Sequence, residues 1–466
     1  MYNISRNFRN VFGKDKTTMN TSKKQIDMLH GSLPKKLLLF TLPIALSSML
    51  QQLFNACDTS IVGYFDNADS LAAVGTNGEI IALIVTLSSG LAIGANILIA
   101  SQIGKKETDH IPEIVHTSIL LSIIIGIIGM IIGQLITNPL LTLIKTPDKI
   151  IHSAEMYLRI YFIGYPFLLL YDFGSAILRA RGDSRYPFIA LTISGIANVL
   201  LNVFFVVVLH IGVAGVAIAT DISTALSAIM IICRLKNDNT VFHLSFRKLH
   251  ITRSYMLQIL KIGIPSAVQG AVFCFANIFV QASVNSFGAT TIAGSTIAMN
   301  FEYFAYYVIT AFGQTATTFI SQNYAAAKLK RCRQILWLCI AFSTLCSLII
   351  IEPIIIFQNG FSGLFTTQQS VIENACIRIM CILFFEPICS LYEIPAGALR
   401  GTGHSLLPAI ITIIGTCAFR IIWICTIFKH HHELETLYIA FPISWVITTL
   451  LIWCGFIIVK PFGKHD

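Results

Sequence analysis

The chain has 466 residues, of which 55% are apolar and 12% are charged. An ordinary soluble domain has about 25% charged residues, so this composition excludes a conventional soluble enzyme and predicts that lipid surrounds the protein. The formal net charge of +9 would indicate nucleic-acid binding only if the basic residues clustered on one domain or stripe.

Apolar segments long enough to cross a membrane follow one another along the chain. A hydrocarbon core of about 30 Å needs about 20 mostly apolar helical residues. Twelve segments meet this requirement, at residues 37–64, 78–103, 112–136, 155–180, 187–209, 212–233, 262–287, 290–320, 335–357, 376–399, 408–428 and 437–459. We expect no cleaved signal peptide, and the cysteines, which lack metal-ligand spacing, are interpreted as small buried hydrophobes.

The basic residues collect on one side of these predicted spans. If the N-terminus is cytoplasmic, the inner segments hold 26 of the 32 Lys and Arg residues, while the outer loops hold Lys145, Lys149 and Lys429. Short cytoplasmic loops are enriched in Lys and Arg. The pattern therefore predicts a plasma-membrane protein with both termini in the cytoplasm, and it removes the nucleic-acid interpretation of the net charge.

Two halves of the chain resemble each other. The string LRARGDS at 178–184 matches LRGTGHS at 399–405 at an offset of 221, and Ser101-Gln102 matches Ser321-Gln322 at 220. Two six-span repeats that run the same way predict a pseudo-two-fold axis along the membrane normal. The predicted divisions are an N-terminal tail (1–36), an N-lobe (37–233), a cytoplasmic linker (234–261), a C-lobe (262–459) and a C-terminal tail (460–466).

Three further strings carry a resemblance to a known family. They are NACDTSIVG at 55–63, AILRARGDS at 176–184 and GVAGVAIAT at 212–220. With these strings the chain resembles the multidrug and toxic compound extrusion (MATE) family of secondary transporters, over about residues 31–462. The resemblance implies an all-α membrane protein that exports drugs or metabolites by alternating access, driven by inward flow of H⁺ or Na⁺.

Polar residues within the first half form a candidate site for the coupling cation. Gln51, Asn55 and Asp58 share one helix face, and Asn198 and Asn202 are one turn apart in the fifth span. Asp58, Asn202 and Thr220 lie at one predicted depth. The resemblance implies that Asp58, Asn202 and Thr220, together with Asn198, form the cation site of the N-lobe. Family members with this site carry a second aspartate at the position that Asn202 occupies here. A carboxylate with amide and hydroxyl oxygens suits H⁺ or Na⁺, and the choice between them stays open.

Charged residues in the second half are candidates for the substrate cleft. Glu302 and Arg420 match an acidic and a basic position of other family members, and Glu386 lies at a similar depth. The structural alternative is an ion pair between Arg420 and Glu302 or Glu386. The full set of cleft candidates is Gln51, Asn55, Asp172, Asn277, Glu302, Tyr306, Glu386 and Arg420.

The leading hypothesis is a cation-coupled antiporter of small organic, mainly cationic, substrates, working as a monomer without a cofactor. A flippase for lipid-linked sugars is the alternative, but it would need a strongly cationic cleft. A membrane-embedded enzyme is disfavoured because Walker, HExxH and GxSxG motifs are absent. A receptor or scaffold would not need carboxylates at mid-membrane, and the histidines at 430–432 are interpreted as a solvated loop.

Overall fold

Long helices build the fold because a chain in lipid must pair its backbone groups internally. The computed structural model describes residues 25–66, 68–144 and 146–463. Most of the predicted N-terminal tail, the outer-loop residue Lys145 and residues 464–466 lie outside the described part. All twelve cysteines are free thiols.

Twelve long helices follow the predicted spans. They are α1 (Leu33–Phe65), α2 (Asp69–Lys105), α3 (Thr108–Thr142), α4 (Asp148–Ala180), α5 (Arg185–Val208), α6 (Val213–Lys236), α7 (Arg253–Asn285), α8 (Ala289–Ala325), α9 (Leu329–Ile356), α10 (Gln369–Gly401), α11 (Leu406–Phe428) and α12 (Leu434–Val459). Short helical turns lie at Phe246–Lys248 and Gln358–Gly363. The predicted all-α, twelve-helix class is confirmed.

Helix α8 differs from the other eleven in composition. Among the described residues, eleven helices are long and apolar enough to cross a membrane, and α8 is not one of them. The predicted span at 290–320 exists, but it carries many Thr, Gly and Tyr residues, and more than half of α8 is buried. A helix enclosed by other helices need not present an apolar surface to lipid. Its hydropathy is therefore lower although, with 37 residues, it is as long as α2.

The helices α1–α6 form one lobe and α7–α12 the other, which we call the N-lobe and the C-lobe. We call the face where α1 begins and α12 ends the basic face, because the loops there carry most Lys and Arg residues. The lobes are in closest contact through α2 and α7. A Cβ at Gly90 or Gly94 of α2 would overlap the backbone of α7, so these glycines allow the two helices to touch.

Hydrogen bonds close the lobes together toward the basic face. Thr318 of α8 donates to Asn96 Oδ1 of α2 at 2.9 Å, and Gln322 Nε2 donates to the Ala180 carbonyl of α4 at 2.6 Å. Thr41 of α1 also bonds to Thr315 of α8 at 2.8 Å. Packing and hydrogen bonding thus hold the lobes shut at this end of the molecule.

Residues 25–32 form a strap across the same face. The Ile26 amide donates to the Gly182 carbonyl of the N-lobe at 3.1 Å. The Met28 carbonyl accepts hydrogen bonds from Asn323 at 3.1 Å and from Arg331 at 3.2 Å, both in the C-lobe. The Met28 side chain is 1% exposed and lies in the apolar cluster that contains Leu37 of α1. The strap therefore bridges the two lobes.

Candidate functional site

The carboxylate of Asp58 lies at the centre of a buried polar cluster in the N-lobe. Asn202 Nδ2 donates to Asp58 Oδ1 at 2.5 Å, and Thr220 Oγ1 lies 3.2 Å from Asp58 Oδ2. Asn202 also donates to Asn198 Oδ1 at 3.2 Å. Only 6% of Asp58 is exposed, and no Lys, Arg or His among the described residues forms an ion pair with it. The structure thus brings all four predicted residues together.

Close helix contacts hold this cluster in place. A Cβ at Gly195 of α5 would overlap the ring of Phe54 of α1, so glycine lets these two helices approach where Asp58 meets Asn202. Directly after Asn202 the helix α5 changes to a π-helical turn, Val203–Val208. Such turns occur often at functional sites because they reorient side chains.

Asp221, which follows Thr220 in the chain, belongs to a different contact. Its carboxylate packs against the backbone of Gly164 in α4, where a Cβ would overlap it. Successive residues of a helix point about 100° apart, which explains why Asp221 does not join Asp58. The cluster therefore has one carboxylate.

The remaining N-lobe candidates differ in exposure. Gln51 is half-buried and Asn55 is exposed, one turn apart on α1. Asp172 of α4 is half-buried, and its Oδ2 is buried without a hydrogen-bond partner among the described residues. Gln51 and Asn55 are therefore not enclosed by protein, whereas Asp172 faces protein on at least one side.

On the C-lobe side, two half-buried candidates lie on α7 and α8. Asn277 is half-buried, and Tyr306 stacks against Phe273 with the two rings 4° from parallel and their centroids 6.5 Å apart. Aromatic faces of this kind attract organic cations.

Arg420 forms neither of the two ion pairs that the sequence analysis gave as the structural alternative. Glu302 instead pairs with Arg378 of α10 through two parallel hydrogen bonds, at 2.7 Å and 2.8 Å. The third nitrogen of Arg378 donates to Ser295 at 2.8 Å. The planar guanidinium group fits two carboxylate oxygens at once, so Arg378 satisfies Glu302 fully. The sequence placed Arg378 within a span but gave no sign of its orientation.

Arg420 lies in an aromatic environment without a carboxylate partner. Its guanidinium carbon lies 3.9 Å from the ring centre of Phe441 and 5.9 Å from that of Trp445. Its Nε donates to Ser444 at 3.1 Å, and the two terminal nitrogens have no hydrogen-bond partner among the described residues. Cation–π attraction therefore offsets part of the cost of burying this charge.

Glu386 is buried within the C-lobe rather than in an open cleft. It is 3% exposed, and its Oε2 has no hydrogen-bond partner among the described residues. No salt bridge of the described residues includes it. A buried carboxylate in this state is stable only if it is neutralised, for example by a proton.

Another ion pair that the sequence analysis did not predict lies within α10. Arg400 donates to Glu393 at 2.7 Å within α10. The acid and the base are seven residues apart, and Asp172 and Arg179 repeat this spacing in the first half at the offset of 221. The repeat itself was therefore the signal that would have predicted the pair.

Among the described residues, no group of three His, Cys, Asp or Glu side chains is arranged to hold a metal ion. Within the 430–432 loop, His432 stacks on Phe287 at 4.5 Å.

Comparison with known proteins identifies the family. The MatE family model matches residues 43–204 and 265–425, one match in each lobe and more than two thirds of the chain together. The chain belongs to the MatE family. Members of this family are membrane transporters, so the chain is a multi-pass transporter and not an enzyme.

Two similar proteins align with most of the length of this MatE chain. The probable multidrug resistance protein YoeA of Bacillus subtilis is 25% identical over 93% of this chain and 96% of its own length. The probable multidrug resistance protein NorM of Thermotoga maritima is 25% identical over 83% of this chain and 84% of its own.

Solved structures show the same fold. A transporter of the MOP superfamily from Pyrococcus furiosus superimposes with a TM-score of 0.88 at 21% identity, covering 95% of this chain and 99% of that one. A multidrug resistance MATE family transporter in an outward-facing conformation gives 0.87 at 21% identity with the same coverage.

Proposed function

We propose that this MatE protein exports small organic compounds by antiport, and that Asp58 carries the coupling cation. The observation that carries the proposal is a buried carboxylate with hydrogen-bonding neighbours and no positively charged partner among the described residues. Burying an unpaired charge costs several kcal/mol, so such a group gains stability when it binds a cation. The names of the relatives, probable multidrug resistance proteins, support export as the direction and organic compounds as the cargo.

We propose the proton as the coupling cation. One proton neutralises a single carboxylate completely, whereas Na⁺ needs several oxygen ligands. In the described arrangement Asn202 presents its nitrogen, not its oxygen, to Asp58, and its own Oδ1 is buried without a partner. A protonated Asp58 becomes a hydrogen-bond donor, and rotation of the Asn202 amide would then offer the carbonyl oxygen as acceptor. The orientation of the Asn202 amide therefore depends on whether Asp58 is protonated.

We propose that transport proceeds by alternating access, which the closure of the lobes at one face supports. We propose that the basic face is cytoplasmic, in the plasma membrane, so that the described state faces outward. Protons then reach Asp58 from outside, and protonation alters the contacts between α1, α5 and α6. A cation shifts the equilibrium between two states only through its different affinity for each. The Asp58 cluster supplies that difference because its hydrogen bonds change direction on protonation.

For the cargo we propose organic cations. Glu302 and Glu393 are paired with arginines, whereas Asp58 forms no ion pair among the described residues. The half-buried rings of Tyr306 and Phe273 add aromatic faces on the C-lobe side. An unpaired acid and aromatic rings favour cationic over anionic solutes. The protein is proposed to work as a monomer.

The test uses purified protein in liposomes loaded with a fluorescent organic cation. A proton gradient should drive its transport, and a sodium gradient should not. Asp58→Asn should lower gradient-driven transport at least tenfold, while the neighbouring Asp221→Asn should not. Full gradient-driven transport by Asp58→Asn would refute the coupling role. Sodium-driven transport that Asp58→Asn abolishes would keep the role and replace the ion.

A further inference from the structure

A cavity opens at the basic face between the start of α9 and the end of α12. Its volume is about 320 Å³, and the C-terminal turn with Phe462 forms one wall. Arg333 of α9 and Lys460, which follows α12, both line it. We call it the α9–α12 pocket. It is unrelated to the Asp58 cluster, since it lies in the C-lobe at the molecular surface.

The charge of this pocket is positive. Arg333 and Lys460 are both exposed, and no acidic residue among those that the structure describes lines the cavity. Arg333 Nη2 donates to the Phe462 carbonyl at 2.9 Å, which fixes the guanidinium group at the rim. Neither cation forms an ion pair among the described residues. The pocket is therefore complementary to an anion.

The apolar side of the pocket is aromatic and reaches lipid. Trp337 is 58% exposed and stacks on Trp453, with ring centres 5.5 Å apart. The Trp453 indole donates to the Leu391 carbonyl at 3.0 Å. Along α12, Ile457 and Ile458 are 66% and 80% exposed, which is stable only against acyl chains. Trp residues collect where acyl chains meet headgroups, so the pocket spans that boundary.

Lys460 also adopts a backbone conformation that disfavours lysine. Its φ of 46° and ψ of 54° lie in the left-handed region, where glycine is the usual residue after a helix. A non-glycine residue there is strained. A glycine at this position would relieve the strain but would remove one of the two positive charges of the pocket.

We propose that the α9–α12 pocket binds the headgroup of an anionic phospholipid in the leaflet at the basic face. Arg333 and Lys460 bind the phosphate, and Trp337 and Trp453 pack against the glycerol and upper acyl chains. Basic pockets between helices at this membrane surface suit anionic headgroups. The lipid bound at this site contacts the transporter from the membrane. Its binding does not depend on which compound is transported.

The test measures the thermal stability of the purified transporter in neutral detergent with added phosphatidylglycerol or phosphatidylcholine of equal chain length. Wild type should be stabilised more by phosphatidylglycerol. Lys460→Gly should bind it about fivefold more weakly, because one basic residue near a membrane contributes about that factor. The same variant should be at least as stable as wild type without lipid, since the strain is gone.

This opposite response separates lipid binding from general damage. The double variant Arg333→Gln with Lys460→Gly should lose most of the preference for phosphatidylglycerol. The control double variant Arg247→Gln with Lys248→Gln also loses two positive charges, but these lie in the linker, so it should keep the preference. If Lys460→Gly keeps the preference of wild type, the proposal is wrong.

Two other outcomes would assign the pocket to a different occupant and overturn the proposal. Equal stabilisation by glycerophosphoglycerol, which lacks acyl chains, would indicate a soluble phosphate compound. If the wild type forms dimers in size-exclusion chromatography and the Arg333 and Lys460 variants do not, the pocket binds a second copy of the chain.

Discussion

The pairing of Glu302 with Arg378 predicts a large and specific stability effect. The two side chains are 13% and 5% exposed, and two hydrogen bonds join them directly. Arg378→Met would leave Glu302 buried and unpaired. Removing one partner of a buried ion pair costs about 3–5 kcal/mol. For a lobe of this size, that loss lowers the melting temperature by roughly 6–20 °C.

Removing both charges should restore most of the loss. In the double variant Glu302→Leu with Arg378→Met, no charge remains buried at this place, and apolar side chains of similar size fill the space. Ser295 loses its hydrogen bond to Arg378, which costs about 1 kcal/mol. The double variant should therefore melt within a few degrees of wild type, well above the single variant.

The assay is thermal unfolding of the purified protein in detergent, followed by tryptophan fluorescence. A matched control is Arg159→Met, which breaks a pair with Glu155 at a surface where the side chains are 42% and 22% exposed. Exposed pairs within one helix contribute about 0.3–0.5 kcal/mol. The hydrogen bond from Arg159 to the Gln134 carbonyl contributes about 1 kcal/mol more, so this variant should melt clearly closer to wild type than Arg378→Met.

Two results would refute the reasoning. If Arg378→Met is as mild as Arg159→Met, Glu302 does not depend on its arginine. If the double variant is as unstable as the single one, the loss comes from packing and not from an unpaired charge.

Three further predictions concern the basic face. Met28→Asp, which puts a charge into the apolar cluster under the strap, should destabilise the protein by about 3 kcal/mol or more, while Met28→Leu should change the melting temperature little. Burial raises the pKa of Asp27, but hydrogen bonds from the Leu29 amide and His30 and the nearby Lys36 outweigh it and lower that pKa below its ordinary value of 3.8. The stabilisation by the ionised carboxylate is therefore complete at neutral pH and is lost as the pH falls through the lowered pKa. The melting temperatures of wild type and Asp27→Asn should differ at pH 7 and converge under more acidic conditions. Gly94→Ala should reduce transport in liposomes at least tenfold, because its Cβ would overlap the Ile259 carbonyl. The control Gly78→Ala lies on the same helix with open space around it and should not reduce transport. Equal transport activity of the two variants would contradict the close contact between α2 and α7.

The repeat of the two halves extends into backbone detail. In α5 a π-helical turn begins at Val203, and in α11 one begins at Ile424, which is 221 residues later. The side chains around these turns have diverged. Asn202 precedes the first and contacts the Asp58 carboxylate, whereas Trp423 precedes the second and donates to the Thr436 carbonyl at 2.9 Å. The same kind of π-helical turn thus lies beside a polar cluster in the N-lobe and beside an aromatic environment in the C-lobe.

The candidate site was predictable in part because helix geometry is regular. The spacing of residues along one helix indicates which side chains share a face and a depth, so Asp58, Asn202 and Thr220 could be grouped before their contacts were known. The pairing of Glu302 could not be predicted in the same way. Arg378 and Arg420 both lie within spans, and only the rotation and tilt of α10 and α11 decide which of them reaches the carboxylate.

The sequence by itself determined the helical class, the number of long helices, the repeat and the uneven distribution of basic residues. These properties depend on composition and on periods of a few residues, which a single chain segment carries. Only the tertiary structure decided that the lobes touch through glycines of α2, that a strap of residues 25–32 bridges them, and that Arg420 is surrounded by rings. These features depend on contacts between segments far apart in the chain, and such contacts are set by the packing of all twelve helices together.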